Sequence, residues 1–454
     1  MTSGALYPQD TIVAVASATG RGAVALVRLS GPDAFEIAAR HVRSLPSESR
    51  VAQLCEVFRG EEKLDTALVT LFPAPNSFTG EDTAEISTHG GYLVPGSIVA
   101  ALISSGARQA LPGEFTRRAV LNGKLDIIQA EAIGDLIDAS SSAMQRTAIS
   151  QLDGGLSRRL LDLRNELLEL EALIAYDVDF PDEDDGPIPR ARIEQTAEQV
   201  LNSLVRLLAT APVGELVREG AVVVIAGPPN AGKSSLFNAL LGRSRAIVTE
   251  IPGTTRDAIE AVIDSGNWPI RLVDTAGLRE TEDRIERLGI EVSERYLSGA
   301  EVVLACGDSP TSLDHTRVLI ARLTDSPVIA VRTKVDLVSN GEQMPQLPDG
   351  IPVSAETGVG LRELLLAIDA VIDRHHGSIS QDLPILTRAR HRKALDVARA
   401  EMVQFIDAWR AEKLPATVAA VHLRTAVTEL EELIGTFEVD DVLDRVFSSF
   451  CVGK

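Results

Sequence analysis

Cysteine is scarce in this chain of 454 residues, which has three, at Cys55, Cys306 and Cys451. Their spacing fits neither a zinc knuckle nor a Cys-x-x-Cys pair, and so few cysteines exclude a disulfide-rich secreted domain. We therefore expect a reduced, cytoplasmic protein. Long apolar runs are also lacking. The first residues do not show a signal-peptide pattern, and no apolar run approaches the length of a membrane span. We expect no integral membrane association.

Basic residues are outnumbered, with 44 Lys and Arg against 65 Asp and Glu and a net charge of -21. This balance excludes a broad electrostatic attraction to nucleic acid or to anionic membranes. Any contact with RNA must then come from a local basic patch. The strongest candidate is the run RARHRK at residues 388–393. A solvated helix face explains that run equally well.

The pattern along the chain separates four segments, where the length alone predicts about two to four domains. Residues 1–123 mix short β-like runs with helical pieces, which predicts an α+β domain. Residues 124–215 and 377–454 have helical patterns, and we expect these halves to pack as one domain because each is short. Residues 216–376 alternate apolar β-runs with helices, which predicts an α/β domain with buried parallel strands between the two halves.

One helix of the first helical segment shows a clear apolar stripe. Its apolar residues recur at steps of three and four, as expected on one face of a helix that packs against a core. They are Leu156, Leu160, Leu163, Leu167, Leu170 and Ile174.

The strongest motif is GPPNAGKS at residues 227–234, which matches G-x-x-x-x-G-K-[ST]. It lies between the β-like run AVVVIAG and a helical segment. Glycines allow the backbone N–H groups to curl around phosphates at a helix N-terminus. Lys233 would place its charge on the β- and γ-phosphates, and Ser234 would ligate Mg²⁺. The motif predicts a nucleoside triphosphate site.

Two further motifs predict the rest of the phosphate and metal site. DTAG at residues 274–277 ends a β-run, so that Asp274 can hold Mg²⁺ through water and the Gly277 amide can meet the γ-phosphate. GTTRD at residues 253–257 lies between the two motifs and offers Thr255 as a second Mg²⁺ ligand.

The base is predicted to be guanine. In TKVD at residues 333–336, Asp336 can accept both N–H groups of the guanine edge, a donor pair that adenine lacks. SAET, which begins at Ser354, follows another strand. Thr333 stands where GTPases usually carry Asn, so we expect guanine selectivity with some loss of loop anchoring.

The hydrolytic residue is less clear from the motifs. Many signalling GTPases place a water-orienting Gln directly after DTAG. Leu278 stands there and cannot hydrogen-bond water. Either hydrolysis is very slow or a neighbouring residue substitutes. The polar candidates are Arg279, Glu280, Glu282, Asp283 and Glu286.

Taken together, the motifs resemble those of the MnmE (also TrmE) family of tRNA-modification GTPases. The similarity runs nearly from end to end, through GRGAVALVRLSG, SFTGED, HGG, PGEFTRRAVLNGKLDIIQAEAIGDLIDA, GPPNAGKSSLFNALL, GTTRD, DTAGLRET and FCVGK. It implies a multidomain α+β and α/β protein, with an N-terminal domain similar to folate-binding folds, a helical domain made of two chain segments and an inserted Ras-like P-loop GTPase domain.

The resemblance also implies the site residues. The predicted GTP-binding residues are Asn230, Ala231, Gly232, Lys233, Ser234, Ser235, Thr249, Glu250, Ile251, Pro252, Gly253, Thr254, Thr255, Asp274, Thr275, Ala276, Gly277, Thr333, Lys334, Val335, Asp336, Ser354, Ala355 and Glu356. The implied ligands of K⁺ are the side chain of Asn230 and the backbone carbonyls of Thr249, Ile251 and Thr254, which suit a hard cation. The implied catalytic residues are Glu286 as the water-orienting carboxylate, Lys233, Arg256 and Arg279.

The resemblance further implies a homodimer through the N-terminal domain, with a reduced folate of the 5-formyltetrahydrofolate type bound by Arg28, Glu85, Lys124 and Lys454. It implies a heterotetramer with an FAD- and NADH-dependent partner of the glucose-inhibited-division A type. Together they would add an aminomethyl or carboxymethylaminomethyl group to C5 of the wobble uridine of certain tRNAs. Alternatives are a ribosome-assembly or regulatory GTPase and a non-catalytic folate-binding scaffold. Cys451 is more simply explained as a buried or terminal residue than as a nucleophile.

Overall fold

The computed structural model describes residues 10–179, 189–243, 259–265, 267–274, 296–337, 350–377, 384–411, 416–435, 450 and 452–453. The chain forms two compact units. The first comprises Met1–Gly134 with Glu431–Lys454, and the second comprises Asp135–Leu430.

Among its described residues, the first unit contains a seven-stranded sheet in the order β3-β4-β5-β6-β2-β1-β7. The strands are β1 (Ile12–Val15), β2 (Val24–Ser30), β3 (Val42–Arg43), β4 (Gln53–Arg59), β5 (Glu62–Phe72), β6 (Thr83–His89) and β7 (Arg108–Gln109). Its helices are α1 (Ala34–His41), α2 (Val94–Ser104) and α3 (Glu114–Leu121). Neighbouring strands are antiparallel except β1 and β7.

The alternation of side chains along β2 determines which face of the sheet holds the candidate site residues. Val27 and Leu29 of β2 are buried in a core with Ile98 and Leu102 of α2. Successive strand side chains point to opposite faces, so Arg28 lies on the other face of the sheet. Glu85 of β6 lies opposite Arg28 in the ladder and therefore on the same face.

The second unit is helical at both ends of its sequence. Helix α4 (Ile127–Ile137) begins in the first unit and ends in the second. Helices α5 (Ser142–Leu152), α6 (Gly155–Asp179), α7 (Arg190–Leu208) and α8 (Ala211–Glu219) precede the sheet of the second unit. Helices α12 (Ala389–Ala411) and α13 (Ala416–Ile434) follow it. Helix α7 packs against both α6 and α12. The two helical segments therefore contact each other, as they would in a single helical domain.

The stripe predicted for α6 is confirmed, because each of its six apolar residues is at most 2% exposed. The stretch Arg190–Glu219 has the length and apolar composition of a membrane span. Five of its apolar residues in α7, however, face the protein interior, as in the core helix of a packed bundle. They are Ile193, Ala197, Val200, Leu204 and Leu207.

The middle of the second unit is an α/β region. Its described part holds a six-stranded sheet in the order β13-β12-β11-β8-β10-β9. The strands are β8 (Ala221–Ala226), β9 (Ile259–Asp264), β10 (Pro269–Asp274), β11 (Val302–Gly307), β12 (Val328–Arg332) and β13 (Ile351–Pro352), and the helices are α9 (Lys233–Arg243), α10 (Pro310–Ile320) and α11 (Leu361–His376). All pairs are parallel except β9 with β10. The predicted buried parallel strands are confirmed, since all six residues of β11 are buried.

Candidate nucleotide-binding site

The motif at residues 227–234 forms the turn from β8 into α9, the place where a parallel sheet presents a helix N-terminus to a phosphate. Two residues in the turn are left-handed, Asn230 with φ 61° and Gly232 with φ 85°. Gly227 is required by packing, because a Cβ there would lie 2.6 Å from the carbonyl oxygen of Cys306. The turn is thus fixed by its residue types.

Lys233 points back across this turn. Its Nζ donates hydrogen bonds to the carbonyl oxygens of Gly227 at 2.9 Å and Pro228 at 3.0 Å. The ammonium group therefore lies across the loop at the N-terminus of α9, where helix N–H groups lack intrahelical partners. Ser234 and Ser235 follow in the first turn of α9. This arrangement concentrates positive charge and N–H donors for a polyphosphate.

Asp274 ends β10 and is buried, with its backbone in register with Ile225 of β8. The charges of Lys233 and Asp274 both affect the pKa of the neighbouring Cys306 thiol. Burial raises the pKa of Cys306 to about 12; Lys233 opposes this rise and Asp274 adds to it. The thiol stays protonated and serves as packing beneath the phosphate loop.

A pocket of about 130 Å³ opens beside the loop. Seven of the predicted GTP-binding residues line it, from three separate segments of the chain. They are Gly232, Ser235, Thr333, Lys334, Asp336, Ala355 and Glu356. Leu236 and Val353 complete the lining, and the motifs did not identify them because apolar residues at these positions look like ordinary core. The pocket joins the phosphate loop to the residues predicted to read the base.

Thr333 anchors the phosphate loop. Its buried hydroxyl donates to the carbonyl oxygen of Ala231 at 2.6 Å, and the next residue, Lys334, donates from Nζ to the carbonyl oxygen of Asn230 at 2.6 Å. The Thr hydroxyl thus supplies one anchor to the loop, because its O–H reaches the backbone directly. The loss of some anchoring relative to Asn stays a prediction.

Ser354 shapes the opposite wall of the pocket. It is fully buried, and its Oγ accepts from the N–H of Thr357 at 3.1 Å. The tight turn also needs Gly360, where a Cβ would lie 1.8 Å from the carbonyl oxygen of Pro352. Ser354 is therefore a structural residue of the turn that presents Ala355 to the pocket.

The remaining predicted residues of the phosphate, metal and hydrolytic sites lie outside the described residues. They are Thr249, Glu250, Ile251, Pro252, Gly253, Thr254, Thr255, Arg256, Thr275, Ala276, Gly277, Arg279 and Glu286. Lys454 and Cys451 also lie outside them.

Two of the predicted folate residues pair with each other in the first unit. Arg28 and Glu85 face each other in the β2–β6 ladder, and Arg28 Nη2 donates to Glu85 Oε1 at 2.8 Å. The guanidinium also lies over the rings of Phe78, at 4.9 Å from the centroid, and Phe115, at 5.7 Å. Because Glu85 neutralises Arg28, a role for Arg28 as a free cation for the folate tail is less suitable than one in positioning Glu85.

Lys124 borders the loop at residues 75–82 that carries Phe78. Its Nζ donates to the carbonyl oxygen of Pro75 at 3.1 Å, and its side chain lies against Gly80. The chain end reaches the same unit, because Val452 bridges to Pro112 and a Cβ on Gly453 would lie 2.2 Å from the carbonyl oxygen of Val15.

An ion-pair network lies beside this loop and was not identified from the sequence. Arg118, 9% exposed, donates to Asp10, Glu81 and Glu114, at 2.7 Å, 3.2 Å and 3.1 Å. Arg108 also bonds Glu114, at 2.6 Å. Burial acts to raise the pKa of Glu114, but hydrogen bonds from the two arginines and a backbone N–H hold it below its usual range. The pKa of Asp10 is likewise lowered, with burial opposed by bonds from Arg108 and Arg118.

The basic run at residues 388–393 leads into α12, and two of its arginines pair with acids. Arg388 donates to Asp135 at 2.7 Å, and Arg392 pairs with Glu215 at 3.2 Å. His391 is fully buried. The run therefore combines paired arginines with the exposed Lys393, and its contact with RNA stays a prediction.

Comparison with known proteins gives consistent results. The family described as MnmE helical domain matches residues 127–451, and the family described as GTP-binding protein TrmE N-terminus matches residues 11–124. The chain is similar to proteins named tRNA modification GTPase MnmE. One from Moorella thermoacetica is 39% identical, over 98% of this chain and 99% of the relative, and one from Akkermansia muciniphila is 40% identical over the same shares.

Among solved structures, the G domain of the T. maritima FeoB iron transporter matches 33% of this chain and 98% of its own length. The identity is 28% and the TM-score 0.26. At that score the similarity carries no structural argument.

Proposed function

Because this chain belongs to the MnmE family of tRNA modification GTPases, we propose that it uses GTP hydrolysis to drive modification of C5 of the wobble uridine in certain tRNAs. It is a GTP-hydrolysing enzyme of tRNA modification. The observation that best supports the proposal is the continuity of the loop held by Lys233 with the pocket that contains Asp336.

In the hydrolytic step, water attacks the γ-phosphorus, the bond to the β–γ bridging oxygen breaks, and GDP and phosphate form. Lys233 would stabilise the charge that develops on the phosphates. Ser234 and Thr255 would hold Mg²⁺. Since Leu278 cannot orient water, we assign that role to Glu286 acting through a bridging water, with Arg256 and Arg279 stabilising the neighbouring segments.

We place K⁺ on the side chain of Asn230 and on the backbone carbonyls of Thr249, Ile251 and Thr254. The described part of this site supports the assignment. Asn230 is exposed, and the bond from Lys334 to its carbonyl fixes its left-handed backbone. Its backbone is therefore held at the loop, from which the exposed side-chain oxygen can reach a cation, a ligand type that suits K⁺.

We expect GTP hydrolysis to be at least about tenfold faster in K⁺ than in Na⁺, because the cation would stabilise charge in the transition state. Steady-state phosphate release in the two salts measures this. Nucleotide affinity in both salts is the control, and an Asn230→Ala variant should lose the preference for K⁺. Equal rates in the two salts would contradict the K⁺ assignment.

We propose that the first unit binds a reduced folate, which supplies a one-carbon group when bound. The fit rests on Glu85: only its Oε1 accepts from Arg28 within the described residues, so Oε2 can accept pterin N–H groups. Lys124, beside the loop at residues 75–82, and Lys454 would hold the glutamate tail. Calorimetry with 5-formyltetrahydrofolate tests this, and the absence of binding heat at high concentration would exclude it.

We propose a homodimer through the same unit, since Leu54 and Leu68 form a cross-strand pair that is 66% and 47% exposed. Burial of such a pair against a second copy would remove apolar surface from water. An FAD- and NADH-dependent protein of the glucose-inhibited-division A type would complete a heterotetramer in the cytoplasm, where the tRNA substrate is found.

The substrate is tested by mass spectrometry of tRNA nucleosides from a strain that lacks this protein. We expect a C5-aminomethyl-type uridine to disappear and the wild-type gene to restore it. A Lys233→Ala gene should not restore it, because hydrolysis falls by at least about a hundredfold when a principal charge on the phosphates is lost. Lys63→Ala, at an exposed lysine outside the site, is the control. Unchanged tRNA with altered ribosomal subunits would instead favour a ribosome-assembly GTPase.

A further inference from the structure

Helix α5 contacts the α/β region at its N-terminal end and the segment that follows this region at its C-terminal end. At the N-terminal end, the N–H and Oγ of Ser142 donate to one carboxylate oxygen of Asp264, at 2.9 Å and 2.7 Å. At the C-terminal end, Nε2 of Gln151 donates to the carbonyl oxygen of Ile385 at 3.0 Å and to Oγ1 of Thr387 at 3.2 Å. These last two residues lie on the segment by which the chain leaves the α/β region.

Between its ends, α5 is part of the core of that region. Ala143 is 1% exposed and belongs to the same buried cluster as Trp268 and Ile270, and Met144 packs against it. Helix α5 also packs on α6, the long helix with the buried stripe. The helix is therefore in contact with both parts of the second unit.

Asp264 lies at one end of a hairpin whose other end belongs to the nucleotide site. Strands β9 and β10 pair along their whole lengths, from Asp264 opposite Pro269 to Ile259 opposite Asp274. Six residues of strand span about 17 Å. The hairpin therefore links Asp274, the proposed Mg²⁺-side carboxylate, to the start of α5.

The tip of the hairpin is held firmly. Oγ of Ser265 donates to Asp369 at 2.5 Å, and Nε1 of Trp268 donates to Asp373 at 2.8 Å. Both acceptors lie on α11. Hydrogen-bonded and packed in this way, the tip has little freedom to absorb a displacement locally, so movement of the hairpin would be shared with α5.

We propose that α5 is the coupling helix between the nucleotide site and the helical part of this unit, with Asp264 and Ser142 as its positioning residues. The proposal rests on the proposed GTPase function, because a bound nucleotide must bias the Asp274 end of the hairpin. A displacement of the hairpin would reach α5 through the two hydrogen bonds between Ser142 and Asp264, and it would reach α6 through the packing of α5 on α6.

The sequence offers a variant that removes this contact with little effect on the helix. Ser142 is the first residue of α5, where proline is favoured because the N–H has no helical partner. The preceding Ser141 is already extended, with φ -141° and ψ 158°, as the residue before proline must be, and its Oγ still caps Met144 N–H at 3.1 Å. Ser142→Pro therefore deletes both hydrogen bonds that Ser142 donates to Asp264.

The experiment is hydrogen exchange of the full chain, loaded with GDP or with a non-hydrolysable GTP analogue. In the wild type we expect exchange in α5 to differ about tenfold between the two states, the effect of one or two strong hydrogen bonds. In Ser142→Pro the difference in α5 should vanish, while β10 and the phosphate loop still respond and GTP hydrolysis stays within about twofold, since no phosphate contact is touched.

Gln145→Ala, at an exposed position on the same helix, is the matched control and should retain the difference. Asp264→Asn and Ser142→Ala are milder variants that should reduce it, which keeps the test valid if the proline variant folds poorly. A response of α5 that persists in Ser142→Pro would overturn the coupling role, as would a wild-type α5 that ignores the nucleotide while the phosphate loop responds. A phosphate loop that responds to neither nucleotide would instead overturn the proposed GTPase function.

Discussion

Asp336→Asn is expected to weaken GTP binding by at least about a hundredfold and to create binding of xanthosine triphosphate, since sites built on paired hydrogen bonds discriminate strongly. The carboxylate can accept two N–H groups from the guanine edge, whereas the amide has one acceptor and one N–H₂ donor. Xanthine has a carbonyl where guanine has its amino group, so xanthine matches the amide. Asp336 lies with Thr333 and Lys334 at the pocket.

Competition against a fluorescent guanine nucleotide measures both affinities. Asp325→Asn, an exposed acid of the same region outside the pocket, is the control and should leave them unchanged. If the Asp336 variant binds GTP as tightly as the wild type and gains no xanthosine triphosphate, another residue reads the base. The gain of xanthosine triphosphate binding is the informative result, because a misfolded pocket would bind neither nucleotide.

The sequence identified the parts of the site that depend on local structure. A loop with fixed glycines, a strand before it and a helix after it are contiguous in the chain, so the placement of Lys233 followed from the motif. The stripe of α6 was equally local, because its period is that of one helix. The apolar lining from Leu236 and Val353 was not, since an apolar residue in a strand or helix has the same pattern whether it lies in a core or beneath a base.

Long-range pairing explains what sequence reasoning missed. Arg28 and Glu85 are 57 residues apart, and only the register of β2 on β6 brings their side chains together. Thr333 and Ala231 are 102 residues apart. The sequence therefore shows that Thr replaces the usual Asn, but it does not show the hydrogen bond from Thr333 to Ala231 that anchors the loop. The contact of Ser142 with Asp264 spans 122 residues and leaves no pattern in either segment.

Arg118→Met is expected to destabilise the first unit by about 3 kcal/mol, the lower end of the cost of removing one partner of a buried ion pair, because Asp10 and Glu114 keep their bonds from Arg108. Arg118 binds both the side chain and the backbone carbonyl of Asp10, and it also contacts Glu81 and Glu114. Hydrogen exchange of β2 and β6 in the full chain reports the opening free energy of this unit. Arg59→Met, an exposed arginine that pairs with Glu62 across one turn, is the control and should cost far less.

The destabilisation should also depend on pH in a defined direction. Because the pKa values of Asp10 and Glu114 are lowered in the folded protein, the network contributes its stability above the ordinary carboxyl range near pH 4 and loses it as pH falls through the folded pKa values. In Arg118→Met these carboxyls lose a principal cation, so protonation relieves the variant. The gap between wild type and variant is therefore expected to narrow as the pH falls from about 5 to about 2, through the ordinary and then the lowered carboxyl pKa values, after correction for intrinsic exchange rates. A gap that stays constant over that range would mean that Arg118 acts by packing rather than by charge.

Since Glu81 also accepts from Ser30 at 2.8 Å, beside Arg28 on β2, loss of the network should weaken folate binding as well.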